Sequence, residues 1–576
     1  MTAILDKTAW LRRLPVLDWG RRYQRQHAIH DLTAAVIVTL MLVPQALAYA
    51  ILSGLPPQVG LYASMLPLVC YALLGTSSTL AVGPVAVAAL MTASAIAPYS
   101  AQNLQMGLQA AIVLACLSGL FLFFAGVFRL GFLANFLSHP VIAGFIGAAS
   151  LVIASSQLPT LLGIQASGDN MLTLWHGILL QIDEVHGVTA LLSLLTLLLL
   201  LLFRRYGVRA LQTAGLSLFW AQTLSRSVPA LLVISGTWAI RQNFTILAGV
   251  RTVGQIPTGL PALTWPHWDA PLWQALLMPA ILISIVGYVE SISVAQNLAM
   301  KRRERIDPDQ ELLALGAANL AASFSAGQPV TGGVSRSVVN MDAGAQTPAA
   351  GFFTAVGMLL ATLFLAGWLS DLPRFILAAT IIVAVLSLLE WQVFIDTWRR
   401  NRSDFLALLM TFMITLLVNV ESGISAGVLL SVAMHLYRSS RPHIAIVGQV
   451  PGTEHFRNVA RHAVKVCPDV VTMRVDQSLY FANARYLEQK VLEVLADNPA
   501  VKHVILMCSA VNEVDSSALE VLETINQHLS ALKIGFHLSE VKGPVMDTLQ
   551  DSSLKQQLNG KIYLTQYQAY AALACH

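Results

Sequence analysis

The chain is expected to be a polytopic α-helical membrane protein of about fourteen spans, followed by a soluble α/β domain. Three observations carry this reading. Of 576 residues only 11% are charged and 56% are hydrophobic, with a mean hydropathy of +0.64. Soluble chains carry roughly 25% charged residues, so a solvated surface cannot be built over most of this one. The charge is also unevenly placed: from Pro442 onward there are 13 acidic and 11 basic residues, against 18 and 24 in the first 441. Finally, apolar runs bounded by Pro, Gly or charge recur along the first three quarters of the chain. The expected boundaries are 1–30 for a cytoplasmic N-terminal segment, 31–440 for the transmembrane domain and 441–576 for the soluble domain.

The first charged run, from Lys7 to Arg25, is followed by an apolar segment from Leu32 to Leu52. That is long enough to cross about 30 Å of hydrocarbon and too long for a signal peptide. The remaining spans of the first half are expected near 59–74, 80–97, 107–127, 131–162, 187–204 and 228–241. Those of the second half fall near 271–299, 309–322, 328–341, 348–368, 373–390, 403–418 and 423–438. Arginine and lysine cluster at 12–25, 204–209, 301–305, 399–402 and 438–441, while 98–106 and 163–186 hold none. With fourteen spans all these clusters share one side, which the positive-inside rule makes cytoplasmic. Both termini are then cytoplasmic, and the chain is integral to the cell (inner) membrane.

Two segments are broken where a plain spanning helix should continue: TLAVGPVAVAAL from Thr79 and FSAGQPVTGGVSRSVVN from Phe324. Ala81–Val85 aligns with Ala326–Val330, and Pro84 with Pro329, at a separation of 245 residues. The same offset places Gln45 onto Glu290. A shared register suggests a duplicated seven-span unit, and an odd-numbered unit must enter the membrane upside down the second time. Proline has no N–H and interrupts a helix, so each break predicts an extended stretch followed by a half-helix. Non-helical backbone at membrane depth survives only inside protein or beside a cavity. Inverted repeats of this kind aim two half-helix N-termini, each worth about half a positive charge, at a common point that attracts anions. Two ordinary proline kinks are the alternative.

Glu290 and Arg336 lie within apolar segments, where each costs about 2.5–3.5 kcal/mol at mid-bilayer, so neither should face lipid. They could form a structural ion pair, or Arg336 could snorkel to the cytoplasmic surface. A protonatable carboxylate beside a fixed positive centre is also suited to proton coupling, because an arriving anion cancels the positive field that holds it ionised. Gln45, Tyr49, Thr331 and Ser335 could hydrogen-bond an oxyanion or simply serve helix packing. His139, before Pro140, reads as a helix-end residue, and the Leu-rich run 191–203 as membrane filler.

Several classes are excluded. Net charge is only +4, too mild for nucleic acid, and the five cysteines show no CxxC or Cys/His spacing, so neither disulfides nor a structural metal is expected. No cofactor is expected. In the last quarter, strand-like 444–450, 470–476, 501–508 and 533–541 alternate with helical 483–497 and 516–532, an α/β layer pattern.

At these residues the sequence resembles the SulP family, the sulfate-permease-type anion transporters. The likeness includes VPQALAYAILSGLPPQVGLYAS (43–64), LAVGPVA (80–86), GFLANFLSHPVIAGF (131–145), VESISVAQNLA (289–299) and QPVTGGVSRSVVNMDAGAQT (328–347). The resemblance implies a core domain moving against a gate domain, a homodimer, and an anion site between the third and tenth spans. It assigns Gln45 and Tyr49 to the site from the first span and Val85 and Ala86 from the third. Glu290 becomes the eighth-span acid, and Gly333, Ser335 and Arg336 the tenth-span positions. Glu290 together with Arg336 implies proton rather than sodium coupling. The soluble region is similar to the STAS domain, which can bind a cytoplasmic protein partner. In related proteins a serine in a DSSG-like turn is phosphorylated; here VDSSALEVL carries Asp515, Ser516 and Ser517, with alanine in place of the glycine. Ser517 is thus a possible regulatory phosphorylation site, with Ser516 or Ser517 as a helix N-cap the alternative.

A secondary anion transporter accounts for the repeat, the buried acid and base and the soluble tail together, and sulfate uptake by proton symport is the leading expectation. Bicarbonate, chloride or dicarboxylate transport, with sodium coupling among the options, stays open. So does a membrane anion sensor read out through the soluble domain. An intramembrane enzyme lacks support, because no Ser–His–Asp set, paired metal ligands or nucleotide loop is present.

Overall fold

A computed structural model describes residues 14–132, 139–166, 171–242, 249–257 and 259–574. Residues 1–13 of the expected N-terminal segment, with Lys7, Arg12 and Arg13, lie outside the described residues, as do 133–138 of the expected fifth span and Cys575. The chain divides into two units, Met1–Ser431 and Val432–His576.

In the first unit the principal helices are α1 (Arg25–Leu52), α2 (Leu66–Leu74), α3 (Ala86–Ser100), α4 (Leu104–Val127), α5 (His139–Leu162), α6 (Gly187–Leu202) and α7 (Leu218–Arg241). The second half supplies α8 (Ala270–Arg302), α9 (Pro308–Phe324), α10 (Val334–Asp342), α11 (Ala349–Leu369), α12 (Arg374–Val385), α13 (Arg402–Leu417) and α14 (Val420–Ser440), within which the first unit ends. Seven helical stretches among the described residues are long and apolar enough to cross a membrane. Local chemistry sets their starts: the Asn103 side chain caps α4 and the Asp307 carboxylate caps α9 through the N–H groups of Asp309 and Gln310. The expected second span is split: Gln58–Tyr62 ends at the C-cap Ala63, and α2 starts after the N-cap Met65 with proline in its first turn. Most leucines of α6, Leu191, Leu194, Leu195, Leu198, Leu201 and Leu202 among them, face outward, as filler should, while Leu200 is buried.

The packing has the two-fold pattern of an inverted repeat. Helix α4 packs against α8 and α9, and α11 packs against α1 and α2, the same contacts after the halves are exchanged. The α4–α9 crossing is backbone to backbone: a Cβ added to Gly316 would lie 2.5 Å from the Phe123 nitrogen, and one on Gly119 would lie 2.6 Å from the Leu320 nitrogen. Small residues permit this approach in membranes. Helices α5, α6, α7, α12 and α13 form a second group, in which α12 contacts α5, α6 and α7.

Both breaks are extended. β1 (Val82–Gly83) pairs antiparallel with β2 (Thr331–Gly332), Val82 opposite Gly332 and Gly83 opposite Thr331. Polar side chains satisfy the rest of this backbone: the Ala81 N–H donates to Ser337 Oγ (2.9 Å), the Val330 N–H to Asn319 Oδ1 (2.9 Å) and the Gly332 N–H to Ser291 Oγ (2.8 Å). The 245-residue register needs one correction. Helices α1 and α8, and α4 and α11, do start 245 residues apart, but the half-helices α3 and α10 start 248 apart. Pro84 directly precedes the N-cap Val85, whereas Pro329 stands four residues before the N-cap Gly333.

Two buried carboxylates hold the ends of this assembly. Glu311 accepts from Tyr71 Oη (2.8 Å) and from the Thr76 N–H and hydroxyl (both 2.7 Å), fixing the chain that leads into the first break. Asp31 accepts from the N–H groups of Gln346 (2.6 Å) and Thr347 (3.1 Å) and from the Thr347 hydroxyl (2.6 Å), fixing the exit from α10.

The second unit is a six-stranded sheet in the order β4-β3-β5-β6-β7-β8. It comprises β3 (Ile444–Gln449), β4 (Phe456–Asn458), β5 (Val470–Val475), β6 (His503–Met507), β7 (Gly535–Ser539) and β8 (Ile562–Tyr563). Strands β5 to β8 run parallel, with helices α15 (Ala484–Asp497) and α16 (Ser516–Ala531) as crossovers. One expectation is corrected: neither Ser516 nor Ser517 caps α16. Asp515 does, accepting from the Ala518 N–H (2.8 Å) with one oxygen and from the Phe481 N–H (2.9 Å) with the other. A carboxylate can serve both donors; a hydroxyl cannot reach both. The two serines are left exposed in the first turn.

Candidate functional site

The N-termini of the two half-helices open onto one cavity of about 50 Å³. Helix α3 brings Val85, Ala86 and Val87, and α10 brings Gly333, Val334, Ser335 and Arg336. Gln45 and Tyr49 reach it from α1 and Glu290 from α8, so all eight residues that the family resemblance assigned line the same space. Thr331 does not: its hydroxyl donates to the Gly287 carbonyl (2.6 Å) and meets Ser291 Oγ (2.7 Å), tying β2 to α8. Sequence reasoning missed the opposite wall, Ala384, Val385, Ser387 and Leu388 at the end of α12. Those residues sit in an apolar run in which a lone serine, Ser387, reads as ordinary helix-packing polarity.

Arg336 is the dominant charge here. It is 2% exposed, so it neither snorkels nor faces lipid. Nη1 donates to the Pro84 carbonyl at 2.7 Å, which ties the two half-helices together, while Nε and Nη2 have no partner among the described residues. The alternative of a structural ion pair with Glu290 is not realised among the described salt bridges. The guanidinium lies against the backbone of both breaks: a Cβ on Gly333 would stand 2.8 Å from Nη2, and one on Gly83 3.4 Å from it. Unsatisfied buried N–H groups are costly. Two of them beside two helix N-termini can donate to an acceptor, and the charge there suits an anion.

Glu290 stands at a junction. It lines the central cavity, an apolar pocket with Phe145 and Ile424, and an open crevice of about 570 Å³. The crevice runs past Ser293, Gln296 and Asn297 to Met300 and Glu304, at the Arg302 end of α8. His139, the first described residue of α5, lines this crevice. The carboxylate thus touches both the enclosed space and the route out of it.

The family model described as the sulfate permease family matches residues 29–411, and that of the STAS domain matches residues 462–569. The chain belongs to the sulfate permease family. It is a sulfate-transporter-family anion transporter, an integral membrane protein and not an enzyme. It is 33% identical over 560 residues to the chloroplastic sulfate transporter 4.1 of Arabidopsis thaliana, covering 95% of this chain and 80% of that one. A probable sulfate transporter of Mycobacterium tuberculosis is also 33% identical, over 93% of this chain and 94% of its own length. Among solved structures, the murine solute carrier 26 family member A9 anion transporter, in its inward-facing state, superposes with a TM-score of 0.90 at 22% identity. That superposition covers 99% of this chain and 96% of the murine one. The transmembrane domain of a cyanobacterial bicarbonate transporter superposes at 0.60 and 22% identity, covering 70% and 98%. The superposition on the murine transporter thus takes in both units, the polytopic helical domain and the STAS domain.

Proposed function

We propose that this chain takes up a small inorganic oxyanion, sulfate foremost, by proton symport with alternating access of the central cavity. The observation that carries the reading is Arg336: a buried guanidinium with two unpartnered N–H groups between two half-helix N-termini. The names of the relatives favour sulfate. In this reading the anion sits on Arg336 and the N-termini at Val85–Ala86 and Gly333–Ser335, with Gln45 and Tyr49 donating from α1. Glu290 carries the proton, because anion and proton each cancel the charge the other brings into a low-dielectric space. The crevice gives that proton an exit.

One proton per sulfate leaves a net negative charge moving inward, at about 2.3 kcal/mol per 100 mV. Uptake of sulfate with Glu290 as sole proton carrier is then electrogenic, and a monovalent anion moves neutrally. The test is Glu290→Gln in proteoliposomes. It should still bind sulfate but fail to accumulate it under an inward proton gradient. Accumulation undiminished in the Gln variant would remove Glu290 from the coupling role, and stoichiometric binding with no accumulation even in the parent would indicate a sensor.

The basic clusters support placing both termini in the cytoplasm of a cell whose inner membrane holds the protein; the homodimer rests on the family resemblance alone. The functional division then falls near residue 440, after the transmembrane domain. In the STAS domain, exposed Ser517 in the first turn of α16 is offered as a phosphate acceptor, where the helix N-terminus favours added negative charge. A cytoplasmic protein would read that change.

A further inference from the structure

A second cavity, of about 50 Å³, lies in the α5–α7 and α12–α13 group and shares no residue with the central one. The end of α5 lines it with Thr160 and Gly163, the start of α6 with Thr189, and two arginines, Arg251 and Arg374, face it. No carboxylate is among the described residues that line it.

Backbone pairing brings the arginines together. Thr252 bridges antiparallel to Pro373, the Arg374 N–H donates to the Arg251 carbonyl at 3.0 Å, and the Val253 N–H donates to the Leu372 carbonyl at 2.9 Å. Like charges on paired strands repel. Arg374 is nonetheless held in place, with Nε on the Thr252 carbonyl at 2.8 Å. The terminal nitrogens of Arg251 meet the side-chain amide of Gln165, at 3.3 Å when its oxygen is turned toward them. Neighbouring Arg241, by contrast, is neutralised by Asp371 at 3.2 Å.

Position strengthens the case. The segment 249–254 leads toward the Ala270 end of α8, whereas the crevice opens at Met300 and Glu304, so the pair lies at the opposite mouth. The other connections at that mouth, 53–65, 98–106, 163–186 and 418–420, contain no Lys or Arg. That is the depletion expected of a non-cytoplasmic face. Two arginines gathered there, around one cavity and without a carboxylate, need a reason other than topology.

We infer that Arg251 and Arg374 form an outer anion site that takes a small oxyanion and loads it on the gate side before it enters the central cavity. The planar guanidinium fork matches a pair of oxyanion oxygens and sheds water more easily than an ammonium. A positively lined mouth also raises the local anion concentration and the rate of capture. The site rests on the proposed function only for the class of anion and for which mouth faces outward.

The test uses purified full-length protein in nanodiscs, with radiolabelled sulfate and bicarbonate as probes at low ionic strength. Arg336→Ala should abolish the central binding event and leave a weaker one, which Arg251→Gln then removes. In proteoliposomes Arg251→Gln alone should raise the KM for uptake about tenfold, the worth of one charge-assisted hydrogen bond, with kcat held. The Arg251 side chain makes no hydrogen bond to backbone among those described, and its backbone pairing with Arg374 is kept in the variant, so the fold is spared; an unchanged elution profile and Tm check that. Arg251→Lys should recover only part of the loss. An unchanged KM in Arg251→Gln, or no residual binding in Arg336→Ala, overturns the proposal. If Arg336→Ala binds normally while Arg251→Gln raises KM, the outer site stands and the central assignment falls.

Discussion

At the scale of single residues, the central cavity depends on a guanidinium laid flat on glycine. Arg336→Lys keeps the charge but replaces a planar fork with a point donor that cannot reach Pro84 and an anion together. Sulfate affinity should fall at least tenfold, or about 1.5–3 kcal/mol for a charged hydrogen bond lost, measured by calorimetric titration. Gly333→Ala is the sharper test, since its Cβ would sit 2.8 Å from Nη2. It should weaken binding comparably although it removes no polar atom; wild-type affinity would show that the guanidinium is free to shift. Arg336 and Glu290 were legible in sequence because an ionised side chain in an apolar run has no cheap explanation. Ser387 and Leu388 were not, because an apolar wall looks like any other stretch of span. Asp31 and Glu311 were also missed as anchors: each lies in the first turns of its helix, where an acid normally meets solvent or a dipole, and only the fold shows that they grip distant backbone.

Among the elements, the half-helices were expected correctly but their register was not. Aligning on proline placed Pro84 and Pro329 together, yet what aligns in space is the N-cap, and the second break holds three further residues before its helix begins. Proline reports that a helix cannot continue; it does not report where the next one starts. The α16 cap was misplaced by one or two residues for a similar reason, since Asp and Ser are both favoured caps. Asp515→Ala should therefore destabilise the soluble unit by about 1 kcal/mol, while Ser517→Ala stays within about 0.5 kcal/mol. Hydrogen exchange across 516–531 would separate the two. The paired strands β6 and β7 carry a pH dependence of their own. His537 accepts from the Lys561 N–H at Nδ1 (3.0 Å) and meets His503 Nδ1 through Nε2 at 3.2 Å. Burial, with repulsion from His503 and Lys561, holds it down to about 4. An unfolded histidine titrates near 6.5, so between these values the unfolded chain binds more protons. Stability of the soluble unit should be full above about pH 6.5 and decline as pH falls toward 4. His537→Asn should flatten that decline in denaturant titrations; an unaltered slope would assign it elsewhere.

For the whole molecule, every described residue lining the central cavity precedes Ser431, the end of the first unit. A chain ended after Ser440 should bind sulfate with unchanged affinity, provided it remains monodisperse; loss of binding would make the soluble unit part of the site. The fourteen-span layout was legible because hydrocarbon thickness imposes a length on every segment, whereas the grouping of helices was not, since lipid and protein neighbours are equally apolar. The strand pair between Val82–Gly83 and Thr331–Gly332 has one more consequence, for how the protein is made. Its first strand leaves the ribosome about 250 residues before its partner, which at roughly 5–20 residues per second is some 12 to 50 seconds. Throughout that interval the first half has an interrupted span whose backbone partners do not yet exist. An orphaned amino-terminal half should therefore be a substrate for membrane quality control, and biogenesis of this transporter is finished only when its second half arrives to close the seam.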